Sequence, residues 1–347
     1  MPLSKISLEN FTVFEKLEIP FTYGVNVFIG ENSTGKTHIL KLLYSACQSA
    51  RQKVTAVDFP QKTARTFRPD ELSLHRLVRH GSGNSAAKIT ICSEHGELSL
   101  SFDAKHKKNI ETRGEETWNA VFSNRLSTFI PAKEILSHSR NLLQAIDQGN
   151  VDFDDTYKDI VSAASVDLKK GPESEKTKKY LDTLSGITKG RVEVHDEEFY
   201  LCPNKQDKLE FQLVAEGLRK IALLWQLIKN GTLEKGAILF WDEPEANINP
   251  RNIPFIVDML LNLQRDGVQI FLATHDYMFA KYLEVRKGRA EGTIFEDDIM
   301  FHAFYREGGE TGPVRVEQGE SFTVLENNSI VKQSIDLYKE EVERVMR

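Results

Sequence analysis

The octet Gly30-Glu31-Asn32-Ser33-Thr34-Gly35-Lys36-Thr37 constrains this chain more than any other stretch, because it fits the pattern G-x-x-x-x-G-K-[ST] at every fixed position. Its flanks fit as well. Gly24-Val25-Asn26-Val27-Phe28-Ile29 reads as a short apolar strand, and Thr37 to Ala50 as a helix with Ile39, Leu40, Leu42, Leu43 and Ala46 at helical spacing. A strand, a glycine-rich turn and a helix in that order make a phosphate cradle. Gly30 and Gly35 permit the tight turn. The amides of Asn32, Ser33, Thr34, Gly35, Lys36 and Thr37 point inward, where the positive end of the new helix dipole adds to them. Lys36 brings a cation to the β- and γ-phosphates of a nucleotide, and the Thr37 hydroxyl is placed to coordinate Mg²⁺.

A second constellation lies far downstream. Ala237-Ile238-Leu239-Phe240-Trp241 is apolar throughout, as a central parallel strand should be, and it delivers Asp242-Glu243 at its end. Gln269-Ile270-Phe271-Leu272-Ala273 is the next such strand and ends at Thr274-His275-Asp276. In open parallel sheets, ligands sit at the carboxyl ends of strands. The octet, the Asp-Glu pair and His275 are therefore expected on one edge of one sheet. Asp242 is assigned to the metal on the phosphates, and Glu243 to polarising the attacking water as general base. His275 is assigned to a hydrogen bond with the γ-phosphate and, with Glu243 and Lys36, to the catalytic set.

The rest of the chain is read around this core. Leu3 to Glu9 reads as an edge strand and Leu17 to Phe21 as a second strand. Gln61 to Arg79 carries five basic residues and reads as a solvated helix and loop. Lys88 to Phe102 alternates as a hairpin, and Lys105, Lys107 and Lys108 follow as a basic surface turn. Thr128 to Ala132 is a buried strand ended by a proline. Ser137 to Ser185 has little apolar content and reads as an inserted helical lobe outside the core. Arg191 to Leu201 and Lys208 to Leu213 return to strand, and Ala215-Glu216-Gly217-Leu218-Arg219-Lys220 opens a helix that stops at Asn230-Gly231. The acidic runs Asp152-Phe153-Asp154-Asp155 and Glu296-Asp297-Asp298 read as solvated rather than as metal sites.

Composition narrows the function classes. The 347 residues, 40% hydrophobic, suffice for one large α/β domain with insertions or for two lobes. A net charge of −6 means that any nucleic-acid contact needs a local basic patch. Cys47, Cys92 and Cys202 form no C-x-x-C pair and suit a reducing compartment. No apolar run approaches membrane-spanning length, so a cytoplasmic protein without membrane contact is expected.

The order of phosphate loop, glycine-containing helix start, Asp-Glu pair and late histidine resembles the ABC-type ATPases, in particular the soluble SMC/RecF/OLD-like branch. Ile6-Ser7-Leu8-Glu9-Asn10-Phe11 looks like that branch's opening strand, and Glu243-Pro244-Glu245-Ala246-Asn247-Ile248-Asn249-Pro250 like its D-loop. Ile130-Pro131-Ala132 resembles a segment common in OLD-like members, and Val214 to Gly231 the signature helix. The resemblance implies an α/β P-loop NTPase of ABC type: a mixed sheet with antiparallel N-terminal strands and a helical insertion. It divides the chain into an N-terminal ATPase lobe (1–136), a helical insertion (137–190) and a C-terminal ATPase lobe (191–347). The implied ligands are ATP and Mg²⁺. The implied assembly is a homo-oligomer, a dimer or higher, with composite ATP sites, in which Gly217 reaches the partner's γ-phosphate.

Three departures from the family pattern are visible. Ala215-Glu216-Gly217 replaces the usual serine-containing signature, Thr12 stands where the family has a basic residue, and the Q-loop glutamine has no clear counterpart. Roughly seventy residues follow His275, too few for the Toprim domain of OLD nucleases. The leading expectation is thus an ATP-hydrolysing switch acting on a separate effector, a nuclease or Toprim protein, as in stand-alone OLD-like ATPases of bacterial anti-phage systems. The alternatives are a RecF-type clamp on duplex DNA and an ATP-bound scaffold without useful turnover.

Overall fold

A computed structural model describes residues 2–51, 57–81, 85–105, 109–203, 207–288, 297–309 and 311–346. Fourteen strands are found among them. β1 (Leu3–Phe11), β2 (Phe14–Pro20), β4 (Ala87–Ser93), β5 (Gly96–Phe102) and β6 (Ile110–Arg113) form an antiparallel sheet in the order β2-β1-β4-β5-β6. β1 is therefore an interior strand and not the edge expected from its alternation; β2 on one side and β4 on the other cover it. The expected hairpin from Lys88 to Phe102 is β4–β5, with Ser93 paired to Gly96 across the turn. Lys107 and Lys108, assigned to a basic turn, lie outside the described residues.

The central sheet joins β3 (Val25–Gly30), β7 (Ser127–Ile130), β11 (Ile238–Asp242), β12 (Gln269–Ala273), β13 (Ile299–Arg306) and β14 (Val314–Gly319) in the order β14-β13-β3-β12-β11-β7. All neighbours are parallel except the β13–β14 pair. Alternation along its strands splits the core in two. Val27, Leu239, Trp241, Ile270 and Leu272 face one hydrophobic cluster; Phe28, Phe240 and Phe271 face the other. The second cluster also holds the inner face of the antiparallel sheet and the apolar face of α1 (Lys36–Ser49), so the helix of the octet lies sandwiched between two sheets.

The first cluster is covered by α7 (Glu216–Lys229), α8 (Ile253–Arg265) and α9 (Tyr277–Arg286). Helices of the polar stretch after Ser137 join it: α5 (Asp155–Ala164) contributes Ile160, Val161 and Ala164, and α6 (Glu175–Thr188) contributes Tyr180, Leu181 and Leu184. Few apolar residues sufficed because they share one face of each helix. Arg191 to Leu201, read as one strand, is a hairpin of β8 (Gly190–His195) and β9 (Glu198–Pro203), turned by Asp196 and Glu197, both at positive φ. A short β10 (Leu209–Glu210) completes that three-stranded sheet.

The basic and acidic runs meet each other. α2 (Phe59–Phe67) carries Lys62, only 2% exposed, whose ammonium donates to Asp155 at 2.7 Å and Asp159 at 2.6 Å. Tyr44 of α1 donates to the same Asp159 carboxylate, and Lys41 donates to Asp154, the N-cap of α5. Arg68 pairs with Asp152, Arg76 with Asp70 and Arg79 with Glu15. Lys62, Asp154, Asp155 and Asp159 thus form a polar joint fastening α5 to α1 and α2, while Arg65, Arg68 and Arg76 stay exposed, as the solvated reading expects. The second acidic run is also used internally. Asp297 is buried against Arg265, and the Asp298 carboxylate accepts from the Gly24 amide, while Glu296 lies outside the described residues. Among the described residues no cluster of His, Cys, Asp and Glu is placed to hold a metal, and no helix is long and apolar enough to cross a membrane.

Candidate functional site

Register brings the site together. In the parallel ladders Asp242 lies beside Ala273, and Ala273 beside Phe28. The chain leaves all three strands on one edge, and the expected residues emerge side by side there. Gly30 adopts φ +132°, and a Cβ on it would lie 2.2 Å from the Phe304 carbonyl oxygen of β13. Gly35 adopts φ +93°, with the Phe14 ring 2.4 Å from where its Cβ would stand. Both positions are closed to any other residue by conformation and by space. Ser33 completes the loop at φ +62°, and the Thr34 hydroxyl ties it by donating to the Glu31 carbonyl at 2.8 Å. Gly35 offers α1 no capping side chain, and among the described residues no side chain caps the helix N-terminus at the loop.

Lys36 lies over the loop, its ammonium donating to the Gly30 and Glu31 carbonyls at 2.7 Å each. Burial lowers its pKa, and the carboxylates of Asp242, Glu243, Glu245 and Glu31 oppose that shift. The Thr37 hydroxyl donates to the Asp242 carboxylate, 3.1 and 3.0 Å from its two oxygens. Burial raises the Asp242 pKa to about 6, against the Thr37 hydrogen bond. A hydroxyl and a carboxylate facing each other form an all-oxygen donor pair, which suits a hard divalent cation.

Glu243 follows at φ +49°, its amide donating to the Ala273 carbonyl at 2.8 Å. Its carboxylate lies 3.2 Å from Nδ1 of His275, a ring that is 51% exposed. Asn32, Ser33, Gly35, Lys36, Thr37, Asp242, Glu243 and His275 line one open cleft of about 390 Å³. Gly30 and Thr34 shape the loop from behind. Gly217 is the exception. It begins α7 on the far side of the D-loop-like segment, where a Cβ would lie 2.3 Å from the Asn247 carbonyl oxygen, and it does not line this cleft.

Arg306, Val13 and His38 had no signal in the sequence, whereas Thr12 and Glu245 are marked only by the family pattern. Arg306, at the end of β13, donates to the Ser33 carbonyl at 3.0 Å and so grips the loop from the adjacent strand. Thr12 and Val13, in the β1–β2 turn, press on the loop helix: Val13 lines the cleft, and the Thr12 hydroxyl meets Nδ1 of His38 at 3.0 Å. Burial and the nearby Lys41 lower the His38 pKa to about 4, so this ring is neutral at pH 7. Glu245 is buried behind His275, accepting from the Thr274 hydroxyl at 2.7 Å.

The family described as "AAA domain, putative AbiEii toxin, Type IV TA system" matches residues 96–279, more than half of the chain, and the family described as "AAA ATPase domain" matches residues 1–74. The DNA replication and repair protein RecF of Streptococcus suis is 37% identical over 83 residues, 24% of this chain and 22% of that protein. RecF of Cytophaga hutchinsonii is 28% identical over 156 residues, 45% of this chain and 36% of that protein. The match therefore spans little more than a third, at most, of these curated relatives. The SMC head bound to the C-terminal winged-helix domain of ScpA superposes with a TM-score of 0.57 at 13% identity, covering 92% of this chain and 98% of that one. The Smc head of Pyrococcus furiosus with an extended coiled coil superposes at 0.56 and 10% identity, covering 97% and 98%. Taken with the family model over residues 96–279, the chain belongs to this AAA-domain family, and its fold is that of the SMC heads.

Proposed function

We propose that the protein is an ATP-hydrolysing switch with Mg²⁺ as its metal. The observation that carries this reading is the convergence of Lys36, the Thr37–Asp242 pair and the Glu243–His275 pair in one cleft. Thr37 and Asp242 are the residues that would hold the cation, which neutralises charge on the β- and γ-phosphates when bound. Lys36 and the uncapped α1 amides bind the phosphates. Glu243 takes the proton of the attacking water, and His275 orients that carboxylate and donates toward the γ-phosphate. Gly217 fits a composite site in which a second copy of the chain completes the phosphate shell, so ATP joins two copies and hydrolysis releases them. Such a switch acts by holding or freeing something else. We assign that role to a separate effector, a nuclease or Toprim protein, in anti-phage defence, within the cytoplasm.

The second reading is a RecF-like clamp on duplex DNA, favoured by the RecF matches. Against it stands the pairing of Lys62, Arg68, Arg76 and Arg79 with acids of the same chain, which offsets most of the charge of that basic run. The Glu243→Gln protein, isolated from its host with Mg-ATP, separates the two by mass spectrometry. A stoichiometric nuclease supports the effector reading, whereas duplex DNA with repair factors and no nuclease overturns it.

A further inference from the structure

Lys220 is 1% exposed, and no carboxylate lies within hydrogen-bonding distance of its ammonium among the described residues. It sits one turn into α7, and its ammonium donates to two backbone carbonyls of the segment after β11: Ala246 at 3.0 Å and Glu243 at 3.4 Å. A buried cation is costly, and a sequence keeps one where it holds something. Here it holds the turn that carries the general base. That turn is conformationally demanding: Glu243 and Asn247 both lie at positive φ, and the Ala246 and Ile248 amides donate back to the Glu243 and Glu245 carbonyls. The same turn places Glu245, whose carboxylate accepts from the Thr274 hydroxyl and the His275 amide, the latter at 3.4 Å. Gly217, one turn earlier on α7, lies against Asn247 and Ile248 so closely that a Cβ would not fit. α7 thus touches this turn twice, through Gly217 at one end and Lys220 at the other.

We propose that Lys220 is a positioning residue, which fixes the Glu243 turn to α7 so that the phosphate-facing start of that helix and the general base of the same subunit move as one body. This rests on the hydrolytic reading above. Occupation of the Gly217 end by a partner's nucleotide would then be felt at Glu243 through a rigid link of one helical turn. Burial lowers the Lys220 pKa, while Glu216, Glu245, Glu243 and Asp242 counter that effect, which suits a cation held among acids without being neutralised by any one of them.

The test compares Lys220→Met and Lys220→Arg with the unmodified protein. Lys220→Met is expected to keep its affinity for a fluorescent ATP analogue within about twofold while kcat falls about tenfold to a hundredfold, as for a base misplaced by an ångström. Lys220→Arg is expected to restore most of kcat. Hydrogen exchange without nucleotide should quicken at residues 243–248 in the methionine variant and stay unchanged along α1. In the Glu243→Gln background, Lys220→Met should cost nothing further. Unchanged kcat and unchanged exchange at 243–248 overturn the proposal. So does a joint loss of affinity, turnover and global stability that arginine does not repair, or failure of both variants to fold, since each marks a purely structural cation. An unmodified protein that hydrolyses no ATP would instead overturn the hydrolytic reading, and the exchange at 243–248 would still decide the role of Lys220.

Discussion

The phosphate loop and the start of α7 both present a glycine near a helix N-terminus, yet they are built on opposite plans. In the loop, the chemistry is local. Gly30, Ser33 and Gly35 take positive φ, Lys36 bonds to carbonyls five and six residues behind it, and the binding groups lie within one octet. At α7 almost nothing is local. Gly217 has ordinary φ and is required because another segment's backbone crosses 2.3 Å from its missing Cβ, and Lys220 is held by carbonyls far along the chain. One region is a cradle that the chain wraps by itself; the other is built as a joint between distant segments. The contrast explains why the octet keeps its pattern at every fixed position while the signature region departs from its family. A joint tolerates Ala215 and Glu216 so long as the close approach and the buried cation remain.

The largest effect expected on this contrast is at Glu243. Glu243→Gln should bind Mg-ATP with near-normal affinity and turn it over about 10³-fold more slowly; normal turnover measured by phosphate release would remove Glu243 as the base. Next comes Lys36→Ala, which should weaken ATP binding about 100-fold or more by deleting ~3 kcal/mol of charge-assisted contacts. Calorimetric titration showing unchanged affinity would mean that the loop amides suffice alone.

Asp242→Asn probes the cost of the site to the fold. Its carboxylate has a folded pKa of about 6 against an ordinary value of 3.8, and burial is the cause. Raised in the folded state, this acid destabilises the protein where it is ionised, so its penalty grows as pH rises from about 4 through 6. The asparagine variant should then be more stable by roughly 1–3 kcal/mol at pH 7, with the gain vanishing near pH 4. Denaturation at the two pH values checks both the sign and the window, and a gain that persists at pH 4 would locate the cause elsewhere.

The smallest effect separates the two glycines. Gly217→Ala meets a backbone oxygen, and relaxing that contact should cost about 1–3 kcal/mol in urea denaturation without altering ATP affinity within one subunit. A neutral result would show that α7 and the Asn247 turn are less tightly coupled than their spacing indicates.

Much of this site was legible because its parts are short-range. The octet, the apolar run before Asp242 and the run before His275 each specify their own conformation, and parallel strands of matching length bring their ends to one edge. Arg306 and Val13 left no such trace. Each reaches the loop from a strand or turn whose neighbours are chosen by sheet order, and nothing in the residues around them encodes that order.

The charged stretches show the same limit from the other side. Read alone, a basic run and an acidic run are each best solvated, because an isolated charge prefers water. Lys62 is buried only because α2 packs against α5 beside α1, so that Asp155 and Asp159 replace its hydration. The sequence by itself determined the strand-loop-helix cradle, the two carboxylates and the histidine, since backbone conformation and apolar periodicity are properties of adjacent residues. Tertiary structure alone decided that β1 is interior, that the polar stretch after Ser137 shares the main core, and that Lys220 grips the turn that carries Glu243. Those outcomes depend on which distant surfaces meet, where the free energy comes from burial and pairing between segments rather than from the preferences of any one of them.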